Sequence, residues 1–186
     1  MKYQLHLQER PYWCIPACLE SILESRGFLI TQQYIAEKLG TTKEKGTKID
    51  KETLNQFLRN YNLRSTFFNP FLTYNDELEM VLTREIGNSS DILVLYNSTI
   101  VHQLSNNSHL GHTSIIIEYD IKTDKVTLLD PFKEQQVTIP LYGPGKSLMN
   151  SIQAKENMNY GLYIISQLFK TPCQFNNNCS CPQPIG

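Results

Sequence analysis

The sequence predicts an α+β fold in which an N-terminal helical part packs its first helix, beginning at Cys14, against an antiparallel β-sheet. Three observations lead there. Ile15, Cys18, Leu19, Ile22 and Leu23 recur at three- and four-residue steps, the buried stripe of an amphipathic helix. Two further helix starts follow, at Thr31 and Asp50, each a short polar residue able to accept a bond from the N–H groups that a first turn leaves free. Beyond residue 63 the chain turns to β-branched and aromatic runs separated by turn residues.

In chain order, the first helix starts at Cys14. Pro16 fits only in a first turn, where its missing N–H costs nothing, and Gly27 ends the helix. The second opens at Thr31, with Ile30 and Ile35 placed to clasp each other across the entry, and stops at Gly40. A polar loop, TTKEKGTK, leads to Asp50, and Leu54, Phe57, Leu58 and Tyr61 share one face of the helix behind it. LRSTFF starts the β-rich part. One more helix is expected there, capped by Asn75, with Leu78, Val81, Leu82 and Ile86 inside. DILVLY reads as a strand buried on both faces, and QQVTI and YGLYIIS as later strands. NSTIVHQLSNNSHLG, between DILVLY and Gly111, reads as a mobile flap, and LYGPGKSLMNSI as a turn with a short helical piece on the rim of a cleft.

Residues 1–170 are expected to form a single domain, since 186 residues with 40% hydrophobic content fill one core and are short for two. A tail rich in Cys, Asn and Pro, residues 171–186, follows it. A net charge of −1 with scattered Lys and Arg argues against a nucleic-acid or anionic-membrane partner. There is no apolar run of spanning length and no secretory signal, so the expected place is the cytoplasm, or outside by another export route. The five cysteines cannot all pair within the chain. Cys173, Cys179 and Cys181 read as a flexible or disulfide-bearing end, or as three ligands of a soft metal needing a fourth. Oligomeric state has no signature.

Chemistry concentrates at two places. Cys14, at a helix start, faces unpaired N–H groups and the positive end of the dipole, both of which favour thiolate. A nucleophilic thiol needs a base, and the base needs an orienting partner. GHTSIIIEYDIKTDKVTLLDPF supplies both as a hairpin, with strands near 113–119 and 126–130. His112 opens the first strand and Asp130 closes the second, so the turn returns Asp130 to His112. The two face the same way only with an even-numbered partner opposite Asp130, through an odd loop, such as five residues from an Asp120–Val126 pair, or through a bulge. His6, His102 and His109 have no comparable partner in the sequence and read as solvent or loop residues. Cys18 reads as a small core residue. Tyr12 and Trp13 read as packing, or as shape for a groove.

Gln8 six residues before Cys14, the helix starting at the cysteine, Gly-His opening an apolar strand and a return strand ending in Asp-Pro together resemble papain-like cysteine peptidases of the C39 type, over residues 5–135. The resemblance implies a papain-like fold, with Cys14 attacking, His112 as base and then acid, Asp130 orienting it and Gln8 helping to form the oxyanion hole. One residue departs from that pattern: Ile15 stands where such proteins carry Gly between Cys and Pro, and its branched side chain narrows the room for substrate.

The implied activity is hydrolysis of peptide or isopeptide bonds in a peptide or protein substrate, through a thioester on Cys14 and with no cofactor or metal. An acyltransferase, transglutaminase or deamidase would use the same residues. A non-catalytic peptide-binding module would keep only the scaffold, and an interaction protein organised by metal at the tail cysteines would need neither.

Overall fold

The computed structural model describes residues 2–70, 75–102, 111–132, 135–153 and 160–168. His109, the tail cysteines and the later part of the expected flap lie outside them.

Helices α1 (Cys14–Ser25), α2 (Gln32–Lys38) and α3 (Lys51–Arg59) come first, followed by β1 (Leu63–Phe68) and α4 (Asn75–Gly87). The chain continues as β2 (Asp91–Asn97), α5 (Ser98–His102), β3 (Gly111–Asp120), β4 (Lys125–Asp130), β5 (Gln135–Pro140), α6 (Leu148–Gln153) and β6 (Gly161–Gln167). The strands form one six-stranded sheet in the order β1-β6-β2-β3-β4-β5, with every neighbouring pair antiparallel. The architecture is α+β, with an antiparallel sheet, as the sequence predicts.

The caps explain where the helices begin. Thr31 accepts from the Tyr34 N–H at 3.3 Å, and Asp50 accepts from the N–H groups of Glu52 at 3.0 Å and Thr53 at 2.8 Å. Gly27 takes φ +88° just past α1, a left-handed conformation that a side chain would strain. Helix α4 begins at Asn75.

Both faces of the sheet are covered. On one, Ile15, Leu19, Ile22 and Leu23 of α1 meet Leu93, Ile115, Leu129 and Tyr163, with α2 and α3 alongside. On the other, Leu78 and Leu82 of α4, Val101 of α5 and Leu148 and Ile152 of α6 meet Ile92, Val94, Ile116 and Leu162. Strand β2 lies between β3 and β6, which accounts for its unbroken apolar run. Each large aliphatic side chain buried this way contributes about 1.5–3 kcal/mol. Truncating Leu19 or Ile22, both with no exposed surface, should cost about 2–5 kcal/mol and loosen α1 from the sheet.

The expected flap is helical at its start, where Ser98–His102 form α5 and the Asn97 side chain accepts from the Thr99 N–H at 3.0 Å. A buried charge cluster pins the N-terminus: Asp91, fully buried, meets Lys2 Nζ at 2.6 Å, Tyr3 Oη at 2.6 Å and Arg26 Nε at 2.7 Å. A carboxylate without those partners would be costly to bury. Among the described residues no helix is long and apolar enough to cross a membrane.

Candidate active site

Cys14 is the first residue of α1, half-buried, with Trp13 before it as an N-cap that makes no side-chain bond. Trp13 is itself buried, with Tyr12 edge-on at 6.2 Å and Arg10 over its ring at 5.1 Å, so it packs the entry to the helix. Helix α1 lies on β3. There Cys18 donates its thiol to the Thr113 carbonyl at 3.5 Å, and Cys14 interacts with both His112 and Thr113.

Strands β3 and β4 bring His112 and Asp130 to one end of the sheet. The loop between them has four residues, because Asp120 pairs with Lys125 and not with Val126 as expected. An even loop alone would place Asp130 opposite Ile115, on the wrong face. A bulge between Ile116 and Glu118 corrects this, and with Ile115 opposite Leu129 the continued register sets Asp130 opposite Ser114. His112 Nε2 lies 2.8 Å from Asp130 Oδ1. That leaves Nδ1 as the ring nitrogen free to exchange a proton with the thiol.

Asp130 is fully buried and heavily partnered. Oδ1 also accepts from the Phe132 N–H at 2.8 Å, and Oδ2 receives the Tyr96 hydroxyl at 3.4 Å. His102 Nε2 lies 2.7 Å from Oδ2, a close polar contact whose alignment falls short of a good hydrogen bond. Burial would raise the Asp130 carboxyl, but His102, His112 and the Phe132 N–H together hold it well below the usual carboxylate range. Burial also pushes the His112 ring down, yet Asp130 and Cys14 outweigh it and lift the ring from 6.5 to about 9. The thiol shows the complementary result: burial pushes Cys14 up, and His112 with Thr113 brings it below an ordinary cysteine. Cys18, buried beside Cys14 and Asp130, goes the other way and stays protonated. The two helix thiols are therefore shifted in opposite directions.

Gln8 enters on the N-terminal segment. Its N–H donates to the Pro131 carbonyl at 2.9 Å, immediately after Asp130. Gln32, buried on α2, straps the residues on either side of Gln8: its Nε2 donates to the Leu7 carbonyl at 2.6 Å and its Oε1 accepts from the Glu9 N–H at 3.0 Å. Gln8 Oε1 is buried with no partner among the described residues, so it is not spent on a structural bond. A cavity of about 160 Å³ opens at Leu7, Gln8, Glu9, Arg10, Pro11 and Phe132. The Phe132 ring stands 6.4 Å from that of His112, edge to face, which sets this cavity beside the site.

One reading of a histidine needs correction: His102 is a half-buried neighbour of Asp130 on a helix rather than a solvent or loop residue, whereas His6 is a loop residue that bridges two α1 carboxylates, Glu24 at 2.5 Å and Glu20 at 3.4 Å. The sequence carries no local signal for His102, since only the docking of α5 brings it to the carboxylate. Gln32 is missed for the same kind of reason. His102, His112 and Asp130 are also close enough to be considered as metal ligands. Their 2.7 and 2.8 Å separations are shorter than the roughly 3.3 Å between two ligands of a tetrahedral ion, so the group is arranged for hydrogen bonding and charge contact.

The fold is that of the papain-like cysteine peptidases. The chain belongs to the Peptidase_C39 like family, whose model matches residues 1–146. Three solved structures resemble it. A putative C39-like peptidase from Bacillus anthracis matches at TM-score 0.60 and 13% identity, covering 88% of this chain and 94% of that one. The peptidase domain of Streptococcus ComA, a bifunctional ABC transporter of a quorum-sensing pathway, matches at TM-score 0.54 and 16% identity, covering 89% and 98%. A double glycine motif protease from an AMS/PCAT transporter, solved in complex with the leader peptide, matches at TM-score 0.52 and 14% identity, covering 87% and 89%. No curated protein matches the chain in sequence.

Proposed function

We propose that this cysteine peptidase hydrolyses peptide or isopeptide bonds through a thioester on Cys14, with His112 as base and acid, Asp130 as its orienting residue and Gln8 as an oxyanion donor. One observation carries the reading. His112 is bound to Asp130 through Nε2, which leaves Nδ1 for the Cys14 thiol, and His112 with Thr113 holds that thiol below an ordinary cysteine. In this scheme the Cys14 thiolate attacks the carbonyl carbon. The resulting oxyanion is held by the Cys14 N–H, which has no partner inside the helix, and by the Gln8 amide. Collapse breaks the C–N bond, and the His112 imidazolium gives its Nδ1 proton to the departing amine. His112 then takes a proton from water, whose oxygen attacks the thioester. The acid leaves and the thiolate–imidazolium pair returns.

A peptide substrate suits the open cavity flanked by Gln8 and Phe132, and one structural neighbour is a protease holding a leader peptide. The test is labelling with a thiol-reactive activity probe and peptide mapping, repeated with a panel of peptides and of amines. The reading expects label on Cys14, protection by some peptides and release of free acid. Label on other cysteines only would reject it, and transfer of the acyl group to the amines in preference to water would replace hydrolysis by acyl transfer.

A further inference from the structure

Among the described residues, His102 is a half-buried histidine to which this chemistry gives no task. Its side chain is 7% exposed, and Nε2 lies 2.7 Å from Asp130 Oδ2, while His112 holds the other oxygen, Oδ1, at 2.8 Å. The two imidazoles stand edge to face with centroids 6.0 Å apart. Its place is built by α5, which the Asn97 side chain caps, Val101 anchors in the core and α6 packs against. Burying an imidazole costs free energy unless its polar atom finds a partner, and the partner here is the carboxylate that orients His112.

We propose that His102 is a positioning residue for the Cys14–His112 pair, fixing the plane of the Asp130 carboxylate so that an oxygen stays in line with His112 Nε2. A carboxylate turns about its Cβ–Cγ bond, and the contacts to Oδ1 alone, from His112 and the Phe132 N–H, leave Oδ2 free to swing and tilt the plane away from His112. Of the contacts to Oδ2, the Tyr96 hydroxyl at 3.4 Å is long and is also shared with Ser114 Oγ at 2.8 Å. His102 supplies the short one. The groups placed against it are Asp130 and His112, so it acts on the thiol through them.

The inference rests on the proposed function and is tested without a substrate, by the rate of Cys14 alkylation with iodoacetamide across pH. Two variants separate positioning from packing. In His102→Gln the amide nitrogen can reach the place of Nε2, whereas in His102→Asn it ends near Nδ1 and falls short of Oδ2. The expected result is an acid midpoint for alkylation that moves up by about one pH unit, a tenfold loss of thiolate at low pH, in His102→Asn, with recovery to near wild type in His102→Gln. An Asn protein with the wild-type profile, or Asn and Gln proteins equally shifted, overturns the inference while leaving the proposed function standing. Absence of low-pH alkylation at Cys14 in the wild type overturns both. Should the Asn protein not fold, nitrogen NMR of the wild type at pH 7 decides: a proton on His102 Nε2 is required, and a bare Nε2 overturns the inference.

Discussion

Asp130→Asn keeps the shape of the side chain and removes its charge. Asp130 is fully buried, binds His112 Nε2 at 2.8 Å and shares with Cys14 the work of lifting that ring from 6.5 to about 9, against a burial effect of opposite sign. That rise corresponds to about 3 kcal/mol of preference for the charged ring. The Asp130 contact is the largest of the effects that raise the ring, so the neutral amide should lower the His112 midpoint by at least about one pH unit. The amide oxygen can still accept from Nε2 and from the Phe132 N–H, so ring orientation survives. Turnover should therefore fall about tenfold, not the ten-thousandfold typical when an orienting residue leaves the wrong tautomer. The assay is NMR titration of His112 in both proteins, together with turnover of whichever peptide protects Cys14 from labelling. A His112 midpoint unchanged to within a few tenths of a pH unit would refute the reasoning, because the carboxylate charge would then not be what holds the imidazolium.

Gln8→Ala should reduce turnover about a hundredfold while leaving Cys14 alkylation at pH 6 unchanged, since an oxyanion donor acts on the transition state and not on the thiol. Gln32→Leu should reproduce part of that loss by freeing the Leu7 and Glu9 backbone; slowed alkylation in either protein would indicate a structural role instead. Stability should depend on pH through the same groups, and Cys14→Ala removes the coupled thiol so that it can be read. The raised His112 contributes most below 6.5 and loses its contribution as pH climbs toward its folded value, whereas the depressed Asp130 contributes above about 4 and fades below it. Urea midpoints should then peak between about pH 5 and 6.5, and His112→Ala should remove the alkaline decline. Residues 1–170 are proposed to act as one domain, so deleting 171–186 should leave turnover intact, and loss of turnover in a folded protein would assign the tail to the site.

What could be read from the sequence was local. Thr31 and Asp50 announce their helices because a cap acts within three residues, and Cys14 with Pro16 places the start of α1 to the residue. His112 and Asp130 were legible as a pair because a hairpin brings its two ends together. How they face each other was not, since Ile115, Ile116 and Ile117 form an apolar run without alternation and give no sign of which residue bulges. Buried on both faces, the middle of the sheet at β2, β3 and β4 lacks the polar side that would have marked register. His102 and Gln32 escaped notice for a longer-range reason: each acquires its role only when α5 or α2 docks against a segment distant in the chain.

Competitive alkylation tests the central claim most directly. Iodoacetamide at about pH 6, followed by peptide mapping, compares all five cysteines under one condition in which ordinary thiols, near 8.5, are almost wholly protonated. The thiolate–imidazolium account predicts that Cys14 is modified well ahead of Cys18, Cys173, Cys179 and Cys181, and that His112→Ala abolishes the preference. A Cys14 that reacts no faster than the tail cysteines, with or without His112, would contradict it.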